Sequence, residues 1–294
     1  MNIPLYPQFE PLSFAMKADL HPRLPMNTDG VSEFTFAGLY LFRNTYEYKL
    51  SRSPGSCEHL LVSGEKDGKR FFMAPCGLPE DDTVLKELFQ SHDFLKALSE
   101  SNTEKERIRL EKLGFLVEED RDNFDYLYEK KELAELPGKK FHKKRNLVQG
   151  FLNNYNFSEC PLTPDNINDA KIILDTWAAD REDKGDYHAS AEALERMADL
   201  ELFGYLVSVD GKPAAYTLGE SLAKGKHFVI HFEKALSGYK GIYQFINKAF
   251  AQVLPRHYKY INREQDLGDP GLRQAKMTYR PAAFVKKYRV YPHP

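Results

Sequence analysis

Residues 203–253 restrict the fold more than any other stretch. Phe203–Val209 and Pro213–Glu220 are β-type runs split by the turn Asp210-Gly211, and His227–Lys234 is a third run after Lys224-Gly225. A Gly-containing loop then leads into Ile242–Val253. There Ile242, Phe245, Ile246, Ala249, Phe250 and Val253 fall on one helical face. Hairpin-linked strands feeding an amphipathic helix require a sheet with that helix laid across it.

The flanks extend this pattern. Tyr155–Cys160 reads as a strand. Thr163 is expected to cap a helix with Pro164 at its first position, and Ile167, Ala170, Ile173, Leu174 and Trp177 share a face. A second helix covers about 190–200. Tyr258–Arg263 reads as a strand, Asp269-Pro270 opens a short helix to about Tyr279, and Ala282–Tyr291 returns as one strand. The order β-α-α-β-β-β-α-β-α-β is that of the acyltransferase fold shared by the GNAT enzymes. In the first half, strands fit Thr45–Ser51, Leu60–Val62, Arg70–Ala74, Phe115–Glu119 and Phe124–Glu129; helices fit Asp81–Leu98, Thr103–Leu113 and about 139–153. With 294 residues the chain is long enough for two domains. The expected fold class is α/β (α+β), two lobes of mixed sheet flanked by helices. The expected division is 1–137, a connecting basic helix 138–154, and 155–294 with the active site.

A formal net charge of −2 gives no global attraction to nucleic acid or anionic lipid, so any such attraction must be local. Arg256–Pro294 holds nine Lys/Arg against three Asp/Glu, whereas Glu100–Leu136 holds seven against twelve. Cys57, Cys76 and Cys160 are odd in number, widely spaced and without zinc or disulfide pattern, so no metal site is expected. The N-terminus lacks the basic-then-apolar order of a signal peptide, and no run of about 18 apolar residues is present. The expected location is the cytoplasm, with peripheral contact at a membrane left open.

Four motifs carry chemistry. Lys139–Arg145 crowds five Lys/Arg and one His at a helix start marked by Pro137-Gly138, where the macrodipole disfavours cations. A solvated helix end is the bland alternative; a polyanion is the expected ligand, contacting Lys139, Lys143, Lys144 and Arg145. Gly238-Tyr-Lys-Gly241 lies between a strand and a helix, which suits an anion site at Lys240 and Gly241, with Tyr243 beside it. The GNAT cofactor loop carries Arg/Gln-x-x-Gly-x-Gly/Ala. Here the leading Arg/Gln is missing and Tyr243 replaces the last small residue. His231 and Glu233 alternate with Phe232 and Lys234 and are expected on one side of a strand, where the pair could move a proton. In Asn262–Pro281, acids Glu264 and Asp266 precede a helix whose Arg273, Lys276 and Arg280 form one basic stripe.

The combination GKKFHKKRN, HFEKA…YKGIYQ and NREQDLGDPGLRQAKMTYRP resembles the family of the phosphatidylglycerol lysyltransferase C-terminal domain over nearly the whole chain. That resemblance implies tandem GNAT-like lobes and kinship with aminoacyl-tRNA-dependent transferases that modify lipid head groups or peptidoglycan bridges. The expected activity is therefore aminoacyl transfer from aminoacyl-tRNA to an amine or hydroxyl of a lipid head group or small molecule. A coenzyme A-dependent N-acyltransferase and a non-catalytic binding module are the alternatives; the oligomeric state stays open. The expected roles are Glu233, Asp266 or His231 as base or ammonium anchor, and Arg263, Glu264, Arg273, Lys276, Arg280 and Tyr243 around the substrate. Replacing Asp266 by Asn is expected to cut transfer at least about tenfold with little change in folding.

Overall fold

The computed structural model describes residues 3–53 and 59–293. Cys57 lies outside that range; Cys76 and Cys160 are free and exposed. The strands are β1 (Glu10–Pro11), β2 (Lys49–Ser53), β3 (His59–Lys66), β4 (Lys69–Met73), β5 (Phe94–Ser99), β6 (Phe115–Glu119) and β7 (Asp125–Glu129) in the first half. β8 (Phe157–Leu162), β9 (Phe203–Val209), β10 (Lys212–Leu222), β11 (His227–Ala235), β12 (Tyr260–Asn262), β13 (Ala283–Val285) and β14 (Lys287–Pro292) follow.

They form two seven-stranded sheets, β1-β2-β3-β4-β5-β14-β6 and β13-β7-β12-β11-β10-β9-β8. Each is mixed in the same way. An antiparallel meander (β2-β3-β4, or β9-β10-β11) meets one parallel step, β4 with β5 or β11 with β12. This is the tandem acyltransferase architecture expected from the element order of the second half and, for the first, from the family resemblance. The sheets also exchange strands: β7 pairs with β12 and β13 in the second sheet, and β14 sits between β5 and β6 in the first. Sheet membership therefore crosses the expected divisions at 137 and 155. The stretch Ala282–Tyr291 is two strands, because the chain passes from one lobe to the other at Lys286.

The expected helix Asp81–Leu98 ends at Ser91, and Phe94–Ser99 is β5, parallel to β4. All six β5 residues are buried. A strand covered on both faces shows an apolar run without alternation, so periodicity cannot separate it from a helix. The helix Ile167–Ala179 starts after Asn166 and not at Thr163; the Asn166 side chain accepts from the Thr163 N–H in the preceding turn.

One apolar core lies between the lobes. Phe36, Leu50, Phe71 and Phe94 from the first half pack in it with Leu174, Tyr216 and Phe232 from the second. Over the other face of the second sheet lie helices Lys130–Glu135, His142–Asn154 and Ile242–Val253. The last buries Ile242, Phe245, Ile246, Ala249 and Phe250, while Val253 at its end is exposed. Among the described residues no helix is long and apolar enough to cross a membrane.

Candidate active site

β11 and β12 pair only through His227–Tyr260, Phe228–Ile261 and Val229–Asn262, and then part. β11 is irregular at the same place. Leu218 faces Phe232 and Gly219 faces Ile230, so His231 is an extra residue in a bulge. Gly219 permits this, since a Cβ there would lie 1.9 Å from the Val229 carbonyl oxygen. The bulge separates the two residues expected to share a face, and His231 and Glu233 enter different networks.

Glu233 turns toward the helix side of the sheet. Asn247 Nδ2 lies 2.7 Å from each carboxylate oxygen, and Arg263 Nη2 donates to Oε1 at 3.1 Å. Burial raises the Glu233 pKa, and Arg263 and Asn247 only partly offset it. The Arg263 guanidinium is 5.1 Å from the Tyr279 ring centre, and its Nη1 is buried with no hydrogen-bond partner among the described residues. The pair thus holds a charged donor, met only by the Tyr279 side chain, where the strands open. Lys144, from helix His142–Asn154, sits 3.9 Å above the same Tyr279 ring. Tyr243 is close by, but its hydroxyl bonds to the Ala235 backbone.

His231 lies on the other network. Its Nε2 is 2.9 Å from Glu220 Oε1 and its Nδ1 is 2.8 Å from Glu264 Oε1. Burial alone would lower its pKa, yet the hydrogen bonds to Glu220 and Glu264 push it up to about 10. At neutral pH His231 is an imidazolium with both protons held, which is the wrong form for a base. Glu264 is its counter-ion and is thereby occupied.

Asp266 is fully buried and saturated. Arg273 donates to both its oxygens (3.0 and 2.7 Å), Tyr126 donates its hydroxyl at 2.5 Å, and the Gly268 N–H adds a bond at 2.9 Å. Burial opposes ionisation, but Arg273, Tyr126 and Gly268 together hold the carboxyl far below the usual carboxylate range. Such a group neither accepts a proton near neutrality nor has an edge free for a ligand ammonium. Lys276 donates to the carbonyls of Arg263 (2.7 Å), Glu264 (3.2 Å) and Gln265 (2.5 Å). These residues clamp the 264–269 loop. Asp269 caps the following helix as expected, accepting from the Leu272 N–H at 2.6 Å, and Arg280 stands exposed beyond its end.

A further cluster escaped sequence reasoning. Lys287, fully buried on β14, donates to Asp125 on β7 at 2.6 Å and also to Glu33. Asp125 accepts from the Ser32 N–H and hydroxyl and from Asn262 as well. Burial alone would lower the Lys287 pKa; Asp125 and Glu33 raise it. The ion pair joins the two exchanged strands, so only a knowledge of the exchange could have found it.

The sequence profile of the family described as phosphatidylglycerol lysyltransferase, C-terminal, matches residues 27–291. The chain belongs to this family. A conserved protein of unknown function from Bacteroides thetaiotaomicron VPI-5482 is 29% identical with a TM-score of 0.83, covering 97% of this chain and 99% of that one. L-PGS from Bacillus licheniformis superimposes with a TM-score of 0.64 at 14% identity, over 100% of this chain and 94% of that one. A tandem GNAT protein from the clavulanic acid biosynthesis pathway gives 0.54 at 9% identity, over 98% of each chain. At those last two identities the likeness is one of fold. An uncharacterized protein, MYCGA3080 of Mycoplasmoides gallisepticum, is 24% identical over 185 residues, 60% of this chain; the match spans 58% of that relative's length.

In this lysyltransferase-family chain the two expected donor-binding motifs have different fates. The basic helix is split. Arg145 is bonded to the Leu136 and Gly138 carbonyls, Lys140 pairs with Glu132, and Lys144 turns in to Tyr279. Lys139 and Lys143 remain exposed. The 238–241 loop is exposed at Gly238 and Lys240 and packed only at Gly241. A Cβ on Gly241 would lie 2.3 Å from the Leu147 carbonyl oxygen, so this glycine (φ +91°) serves close helix packing. The Lys240 N–H bonds to the Tyr155 hydroxyl at 3.2 Å and the Ile242 N–H to the Tyr239 carbonyl. A pyrophosphate would have to displace these bonds.

Proposed function

We propose that the chain is an aminoacyltransferase that moves an ester-activated amino acid from a charged tRNA to the amine or hydroxyl of a lipid head group or small molecule. The observation that carries this reading is the Glu233–Arg263 pair. It is a buried carboxylate that fixes a largely buried guanidinium, whose Nη1 makes no well-aligned hydrogen bond, where β11 and β12 part. Attack on an ester carbonyl builds an oxyanion. A fixed, desolvated donor aimed at it stabilises the transition state more than the ground state. Arg263 Nη1 is that donor, and Glu233 with Asn247 holds it in place. Exposed Lys139 and Lys143 supply positive charge for donor phosphates.

Family membership favours an aminoacyl donor over coenzyme A, and the engaged N–H groups of Lys240 and Ile242 point the same way. His231, Glu264, Asp266, Arg273 and Lys276 act in this scheme as the frame of the site, since their hydrogen bonds are committed to one another and to the backbone. The test is transfer from a mixed pool of charged tRNA to lipid extract and to free amines. Radiolabel appearing in an acceptor supports the reading. Stabilisation of the chain by coenzyme A, with no transfer from tRNA, would replace it with the N-acyltransferase alternative.

A further inference from the structure

Two lysines adjoin Arg263, and their surroundings differ. Both have pKa values pushed down to about 8, by burial first and then by the Arg263 charge. Lys276 gives its ammonium protons to three backbone carbonyls. Lys144 has no hydrogen bond and no carboxylate partner among the described residues. It is half-buried and lies 3.9 Å above Tyr279, whose ring also faces the Arg263 guanidinium at 5.1 Å. The carboxylate of this network, Glu233, is taken by Arg263 and Asn247. Lys144 is therefore an amine with access to solvent, a second cation at the same ring, and no carboxylate bonded to it among the described residues. At pH 7 about one such amine in ten is neutral, against roughly one in 3,000 for an ordinary lysine.

We propose that Lys144 is the proton-transfer residue of this site, acting on the acceptor beside Arg263. This rests on the aminoacyl-transfer reading. As the acceptor oxygen or nitrogen adds to the ester carbonyl carbon, its proton passes to the Lys144 amine. The bond from that carbon to the ribose oxygen of the tRNA then breaks, and the Lys144 ammonium returns the proton to the departing oxygen. Lys144 ends as it began, and no other reactant is needed. Glu233 cannot serve in its place without releasing Arg263.

The test has two arms. In the first, the whole chain labelled with [13C]lysine is titrated by NMR. Two lysine Cε resonances should have midpoints near 8, from Lys144 and Lys276. Lys144→Arg should remove one of them, and Arg263→Gln should move it up. In the second arm, wild-type transfer should rise with pH and level off above about 8. Lys144→Arg and Lys144→Gln should each lower kcat at least about 100-fold while keeping the parental unfolding temperature and tRNA affinity. A Lys144 resonance with an ordinary midpoint overturns the proposal. So does an active Lys144→Arg with an unshifted pH profile. A wild-type chain inactive with every acceptor overturns the aminoacyl reading itself, and the shuttle role falls with it.

Discussion

Replacing Asp266 by Asn should unfold this protein far more readily, in contrast to the mild effect its sequence position suggests. The carboxylate is fully buried, bidentate to Arg273, and bonded to the Tyr126 hydroxyl and the Gly268 N–H. An amide of the same shape offers one oxygen to these donors and turns its own NH2 toward the others. Removing one partner of a buried ion pair costs about 3–5 kcal/mol. Arg273 is partly open to solvent, which argues for the lower end, about 3 kcal/mol. For a chain of this size that corresponds to a fall in Tm of roughly 6–12 °C. Urea unfolding followed by the fluorescence of Trp177, the single tryptophan, reports it directly. The acid dependence adds a signature. A carboxyl depressed in the folded state contributes stability above its unfolded pKa of about 3.9 and loses it as pH falls toward the folded value. The gap between parent and variant should hold from pH 7 to about 5 and narrow below about 4. A variant within about 0.5 kcal/mol of the parent at pH 7 would refute the assignment of Asp266 as the clamp of this loop.

Three further outcomes are expected. His231→Gln should destabilise the chain at pH 7, because an imidazolium with a raised pKa contributes fully below about 6.5 and loses that contribution as pH rises through about 10; the gap should close at alkaline pH. Gly241→Ala should cost at least about 2 kcal/mol in chemical denaturation, from the clash with the Leu147 carbonyl and the left-handed backbone. Lys139→Ala with Lys143→Ala should lower the log–log salt slope of tRNA binding by roughly 0.7–0.9 for each phosphate no longer neutralised, with stability within about 0.5 kcal/mol of the parent.

The second lobe was legible in the sequence where periodicity carries the signal. The stripe Ile242–Phe250, the hairpins around Gly211 and Gly225 and the Asp269 cap all stand as the residues suggest. Three things were not legible. β5 has apolar residues on both faces, so nothing in its pattern distinguishes it from a helix. The strand exchange leaves no local trace, since nothing in the residue pattern of β7 or β14 says which sheet it joins. The bulge at His231 shifts the side-chain alternation by one residue and breaks an inference that depended on strict alternation. The charges of 262–281 mark a site region, but their partners are one another. Left-handed backbone at Glu264, Leu267 and Gly268 folds the loop so that Asp266 meets Arg273 and Lys276 meets three carbonyls. Spacing along a chain cannot show that, whereas the carboxylate of Glu233 on β11 and the guanidinium of Arg263 just after β12 remain the pair at the opening.

The central claim is that this pair performs aminoacyl transfer, and the most direct measurement compares wild type with Glu233→Gln in one assay. Charged tRNA bearing a radiolabelled amino acid mixture is incubated with anionic lipid vesicles or with free amines, and label in the acceptor is followed with time. The substitution keeps the shape and the bond to Asn247 but removes the charge that fixes Arg263. The account predicts transfer by the wild type and a rate at least about tenfold lower for the variant, equivalent to roughly 1.4 kcal/mol in the barrier, with an unchanged far-ultraviolet spectrum. Equal rates for the two proteins, or no transfer by the wild type to any acceptor, would contradict it.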